Sequence, residues 1–436
     1  MQSQRIRRSL LFSLLAAALL AYSAQAAGAQ QRHWIPTWIA SPESAIIILP
    51  GFSRRPAGAN SSAPANNRPL FPPPPPVENQ TVRMVIRTSV GGSAVRVQLS
   101  NAFGPAPLPV GAVHIALQDK GSSIVPSSDH ALTFSGQPSI VIPKGAEVLS
   151  DPVDMKVGPL TDLTISVYIS GKAEDPTDHL TGLHTTYTSG PGNFTGAESI
   201  TPVRTSESWY WISAVDVLAP EKTGVIVAFG DSITDGATST PNTDSSWPSQ
   251  LQDRIQNDKA LAGKWAVVNA GISGNQLLSD GMGVAALARL DRDVFSLTGV
   301  KWMIVLESIN DIGLSSLTHD PADKVTAQQL IDGLKQIIVR AHLRGIKVMG
   351  ATLTPFQGAS YYSDYGEQTR EAVNKWILTS GAFDATVDFD KVVQNPSNPE
   401  QILPSLNISD HLHPNDKGYK AMADAIDLED FSKTSK

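Results

Sequence analysis

The apolar run Val225-Ile226-Val227-Ala228-Phe229 leads directly into Gly230-Asp231-Ser232-Ile233-Thr234-Asp235-Gly236. The Ser232 hydroxyl is therefore expected in a tight turn where a buried strand gives way to a helix, and there the helix dipole favours a developing negative charge. A lone serine at such a place is more often a helix cap than a nucleophile, so it needs a base. Asp410-His411-Leu412-His413-Pro414 offers one. Three-residue spacing allows the Asp410 carboxylate to reach one imidazole nitrogen of His413 while the other faces Ser232, which is the arrangement that activates a hydroxyl for acyl transfer. His411, adjacent to Asp410, is poorly placed for the same contact.

Acyl transfer also needs donors aimed at the oxyanion of the tetrahedral intermediate, each commonly worth ~10² to 10³ in rate. Three candidates are the backbone N–H of Ser232, the backbone N–H of Gly274 and the side-chain amide of Asn310. Gly274 has a simpler use in satisfying a positive φ, and Asn310 in capping the segment that follows.

These residues must be held by elements that the hydropathy pattern outlines. From about residue 224 onward, strand-like runs at Val225 to Phe229, Trp265 to Val268, Trp302 to Leu306, Ile346 to Leu353 and Ala385 to Phe389 alternate with helical stretches, the clearest at Thr326 to Leu343. The pattern predicts a doubly wound α/β domain with a parallel sheet over 224–436, whose ligands belong beyond the carboxyl ends of the strands. Gly230 to Gly236, Asn269 to Asn275 and Glu307 to Asp311 all lie at such ends. Residues 81–218 instead carry short alternating runs, such as Val82 to Arg87 and Ala94 to Leu99, broken by Gly, Pro, Asn and Ser. That is all-β patterning, and a β-sandwich is the simplest closure. Residues 27–80 form an N-terminal segment whose Pro-rich stretch, ending in Pro72 to Pro76, reads as a stiff loop.

Taken in order, four segments resemble the sequence blocks of SGNH, or GDSL-like, hydrolases. Gly-Asp-Ser-Ile at 230–233 is similar to the nucleophile block, Asn-Ala-Gly-Ile-Ser-Gly at 269–274 to the block whose last glycine donates to the oxyanion, Asn310-Asp311 to the third, and Asp410 to Pro414 to the Asp-x-x-His-Pro of the fourth. The resemblance covers roughly residues 224–428 and implies an α/β/α, flavodoxin-like fold and a serine esterase. In one place the pattern departs: Ser308 stands where the family usually has glycine. If that turn needs a conformation only glycine adopts freely, Asn310 would be displaced. The β-rich half is similar to the domain that precedes the catalytic one in some secreted bacterial members, on Arg87 to Gly104 and Trp209 to Pro220.

Arg5, Arg7 and Arg8 precede an apolar run from Leu10 to Ala21 and then Ala24-Gln25-Ala26, which reads as a signal peptide over residues 1–26, cleaved after Ala26. A secreted or periplasmic protein is expected, by a route Arg7-Arg8 leaves open. The run is shorter than the ~20 residues of a spanning helix, so no integral span is expected after cleavage. Removing three arginines leaves 31 basic against 41 acidic side chains. Nucleic acid is thus an unpromising partner. The chain has no cysteine, which excludes disulfides and thiolate chemistry. Gly-x-Ser-x-Gly, His-Glu-x-x-His, the P-loop and Gly-x-Gly-x-x-Gly are absent, so neither metal nor cofactor is expected. The expected substrate is an ester, with acetylated carbohydrate the first candidate; Trp209, Tyr210 and Trp211 are a candidate exposed platform for it, although ordinary strand packing is the commoner use of such aromatics. Lipid or aryl esters are the alternative. A third reading is a non-catalytic carbohydrate-binding protein whose site decayed through Ser308.

Overall fold

The computed structural model describes residues 32–45, 74–317 and 324–432. The signal-peptide reading and most of the Pro-rich loop fall outside these residues.

In the C-terminal half, five parallel strands form one sheet: Gly224–Gly230, Trp265–Gly271, Val300–Leu306, Lys347–Ala351 and Ala385–Val387. Their spatial order places the second strand outside the first, then the third, fourth and fifth on its other side. The chain reverses its winding direction beside Gly224–Gly230, and such a switch point opens a crevice at the carboxyl ends of the strands. Gly224–Gly230 is buried along its whole length, as a near-continuous apolar run in a parallel sheet covered on both faces should be. Helix Ala327–His342 begins where sequence patterning places it: Thr326 and Gln329 form a reciprocal capping box, and Leu330, Leu334, Ile337, Ile338 and Ala341 are buried.

The N-terminal half is built of antiparallel sheets. Val77–Arg87, Leu108–Leu117 and Asp162–Ala173 form the centre of the largest. Arg32–Ile39 pairs with Ile212–Pro220, about as far away in sequence as two strands of this half can be. Sequence reading places the first strand near Thr81 and misses this one, because no local pattern announces a partner so distant. Arg32–Ile39 also packs toward the parallel sheet. His33 Nε2 lies 3.0 Å from the Thr223 carbonyl, Ser89 Oγ accepts from Val267 N at 2.6 Å, and Gln252 Nε2 donates to the Thr88 carbonyl at 3.0 Å. Apolar residues from both halves belong to one continuous core.

Among the described residues no helix is long and apolar enough to cross a membrane.

Candidate active site

Ser232 is the first residue of the short helix Ser232–Asp235, directly after the central strand. The capping role belongs to Asp231, whose Oδ1 accepts from Ile233 N at 3.0 Å. That leaves the Ser232 hydroxyl free for another partner, and His413 supplies it: Oγ lies 2.8 Å from Nε2. On the far side of the ring, His413 Nδ1 is 2.6 Å from Asp410 Oδ2. The other oxygen of Asp410 accepts from the backbone N–H groups of Leu412 and His413, each at 3.0 Å. Burial alone would raise the Asp410 pKa, but the bonds from the His413 ring and these two N–H groups outweigh it and bring the carboxyl down to about 2. His411 has a positive φ and lies exposed, its ring against Gly358 rather than on the carboxylate.

The candidate oxyanion donors come from three adjoining loops. Ile272 N donates to the Gly230 carbonyl at 3.0 Å, and Asn310 Nδ2 donates to the Asn275 carbonyl at 2.9 Å, with its second N–H free for another acceptor. Asp311 holds the same loop by accepting from Leu277 N at 2.7 Å and Leu278 N at 3.0 Å. The Tyr361 hydroxyl lies 3.3 Å from Asn310 Oδ1, which fixes the amide orientation. Gly274 has φ +75, and a Cβ there would collide with Met282, so glycine is required on both counts. Among the described residues, nothing accepts from the backbone N–H of Ser232 or of Gly274.

Ser308 adopts φ +107 and is completely buried. The turn does hold the left-handed conformation that glycine favours, yet Asn310 and Asp311 keep their bonds to the neighbouring loop.

Sequence reasoning missed Arg289. This fully buried guanidinium donates to the Gly230 carbonyl at 2.9 Å, the Ala270 carbonyl at 2.8 Å and Asn275 Oδ1 at 2.7 Å, and so ties together the ends of the first two strands and the loop after Gly274. Asp293 balances it at 3.0 Å, with Glu307 at 3.5 Å. Burial pushes the Asp231 carboxyl up to about 7. Burial and the nearby Asp231 hold Glu307 well above the usual carboxylate range, against the pull of Arg289. The signal available in sequence was an arginine inside the apolar window Val284 to Leu290.

At Trp209 to Trp211 the structure shows strand packing and not an exposed aromatic platform. Tyr210 and Trp211 are buried. Trp209 donates Nε1 to the Val85 carbonyl and packs against Trp38, His179 and His184. These side chains serve packing.

Residues 228–421 match the GDSL-like Lipase/Acylhydrolase family. The C-terminal half is a GDSL-like lipase/acylhydrolase domain. Its family is one of carboxylic ester hydrolases, and in this chain a β-rich region precedes it. Among curated proteins, none matches the chain. Solved structures similar to it include an acetyl xylan esterase at 19% identity, covering 46% of this chain and 96% of that one with a TM-score of 0.36. A GDSL-like lipase from Bacteroides thetaiotaomicron is similar at 16% identity, covering 49% and 89% with a TM-score of 0.34. An α/β hydrolase enzyme from the metagenome of Lake Arreo, Spain, is similar at 18%, covering 46% and 92% with a TM-score of 0.37.

Among the described residues of the GDSL-like domain and the β-rich region, no group of three or more His, Asp or Glu side chains is arranged to hold a metal ion.

Proposed function

We propose that this chain is an exported serine esterase that removes short acyl groups, acetyl foremost, from carbohydrate or other small alcohols. The observation that carries the chemistry is the unbroken chain from Ser232 Oγ to His413 Nε2 at 2.8 Å and from His413 Nδ1 to Asp410 Oδ2 at 2.6 Å. Asp410 fixes the tautomer that presents a lone pair to the serine. His413 takes the hydroxyl proton as Oγ attacks the ester carbonyl, and Asp410 stabilises the imidazolium. The oxyanion is received by the N–H groups of Ser232 and Gly274 and the free N–H of Asn310. His413 then returns its proton to the leaving alcohol. Water, deprotonated by the same ring, hydrolyses the acyl-enzyme.

The preference for short acyl groups rests on the surroundings of the serine. Met282 closes the space beside Gly274. An acyl chain directed past Gly274 would therefore lie across the surface without burial, forfeiting about 0.8 kcal/mol per methylene. Export is supported by the N-terminal arginines and apolar run. Carbohydrate is supported by export and by the net negative charge, which disfavours anionic polymers.

The test is a series of nitrophenyl esters from acetate to palmitate, with acetate release from acetylated polysaccharide. Highest kcat/KM at acetate or butyrate is expected, and a maximum at palmitate would replace this reading with a lipid esterase. A fluorophosphonate should label Ser232. A folded wild-type protein that resists labelling would favour a non-catalytic binding protein.

A further inference from the structure

Asp235 closes the nucleophile helix three residues after Ser232, and its side chain is buried. Ser273, the residue before Gly274, donates its hydroxyl to Asp235 Oδ2 at 2.7 Å. One carboxylate thus joins the helix that starts with the nucleophile to the loop that presents an oxyanion donor. The other partners of this junction come from the β-rich region, some 50 to 90 residues earlier in the chain. His179 Nε2 lies 2.9 Å from Asp235 Oδ1, and Thr181 Oγ1 lies 2.7 Å from Ser273 Oγ. Since the Ser273 hydroxyl hydrogen goes to Asp235, the Thr181 hydroxyl must be the donor of that pair. Both ring nitrogens of His179 face acceptors, Nδ1 lying 3.0 Å from the Ser41 carbonyl and 3.4 Å from Glu43 Oε2. The ring is thereby held from the β-rich side as firmly as it holds Asp235.

We propose that His179 and Thr181 are positioning residues for ester hydrolysis: through Asp235 and Ser273 they set the Ser232 helix and the Gly274 N–H in register with each other. The inference rests on the serine-esterase reading above. It gives the β-rich region a part in catalysis that is independent of any substrate binding by that region. A second contact line runs parallel to the first. Asn242 N donates to the Leu183 carbonyl, and Thr185 N to Asn242 Oδ1. From the same loop Thr238 Oγ1 donates to the Pro414 carbonyl, and Thr240 N to Asp416 Oδ1. The β-rich region therefore braces the segment carrying His413 as well.

The test uses the full chain. Thr181→Val keeps the shape and removes the hydroxyl, and His179→Gln keeps a donor and removes the charge. Active sites are titrated with the fluorophosphonate, and kcat is expressed per titrated site, so that unfolded molecules drop out. Thr181→Val should lower kcat per site about tenfold with KM changed by less than about twofold, because a misaligned donor acts mainly in the transition state. Thr181→Ser should restore it. His179→Gln should lose more, and if that variant does not fold, the Thr181 pair decides alone. Wild-type kcat per titrated site in Thr181→Val overturns the proposal, even if fewer sites titrate, since that result marks a purely structural contact. Failure of the wild type to label would instead overturn the esterase reading itself.

Discussion

Two buried polar centres set the halves of this molecule apart. In the β-rich half, the Arg83 guanidinium is completely buried and donates to Ser166 Oγ and to the carbonyls of Ser122, Phe194, Thr195 and Ala197. That inventory leaves little hydrogen-bonding capacity for a ligand. In the GDSL-like domain, the rim around Ser232 keeps two backbone donors without acceptors among the described residues. The contrast follows from topology. A parallel sheet sends every strand's carboxyl end to one edge, so the loops after Gly224–Gly230, Trp265–Gly271 and Val300–Leu306 meet. Antiparallel strands send alternate ends to opposite edges, so away from the junction at His179 and Thr181 polar groups such as Arg83 are spent on holding the scaffold.

One substitution in each centre should produce opposite outcomes. Ser232→Ala should lower kcat by about 10³ or more while leaving thermal stability near wild type, because only the attacking oxygen is lost. Arg83→Met should do the reverse, costing about 3 kcal/mol or more of unfolding free energy by stranding buried carbonyls, with kcat per titrated site close to wild type. Denaturant titration beside active-site titration reads both. If Arg83→Met cuts turnover per site as deeply as stability, the division between scaffold and chemistry is wrong.

Within the rim, Asn310→Ala tests whether an amide already bonded to Asn275 still serves the oxyanion. Its kcat should fall about 10²-fold with little change in KM. Unchanged turnover would confine Asn310 to holding the loop.

What could be read from sequence was whatever lies in one short stretch. Each rim residue follows an apolar run directly, so strand, turn and polar cluster arrive together, and Asp410 and His413 are three residues apart. The Thr326 to Gln329 capping box is equally local. Arg289, His179 and Thr181 were illegible because their partners lie on other loops, and an arginine or histidine carries no mark of the carbonyl it will meet after folding. Arg32–Ile39 was missed for the same reason. Trp211 marks a different limit. Alternation along a strand predicts which side chains face out, but Trp211 has φ +61, which breaks the strand between Trp209–Tyr210 and Ile212–Pro220.

The junction between the halves offers a test in pH. Burial disfavours the His179 cation, but Asp235 and Glu43 more than compensate and raise its pKa from 6.5 to about 10. A folded-state pKa above the unfolded one contributes stability that is complete below pH 6.5 and is lost as pH rises through about 10. Burial also holds the Glu43 carboxyl up to about 8, so the comparison is made in a Glu43→Gln background, where across that window the unfolding free energy should decline less steeply after His179→Gln than with His179 kept. Parallel curves would mean that the two halves are not held together by this charge.

The smallest expected effect concerns Ser308, where the rim departs from the glycine usual in its family. Its φ of +107 is unfavourable for a residue with a Cβ, and its buried hydroxyl finds no partner among the described residues. Relief of strain and removal of an unsatisfied hydroxyl should each favour Ser308→Gly by about 1 to 3 kcal/mol, against about 1 kcal/mol for the greater freedom of glycine in the unfolded chain. The variant should gain about 1 kcal/mol or more in stability. Turnover should stay within about twofold, since turnover follows the placement of the Asn310 amide and the Asn275 carbonyl already fixes that at 2.9 Å. A large rise in kcat would show that Ser308 does displace Asn310 in the working enzyme. A loss of stability would show that this serine makes a contact the glycine cannot replace, and the rim would then be more tightly satisfied than its comparison with Arg83 implies.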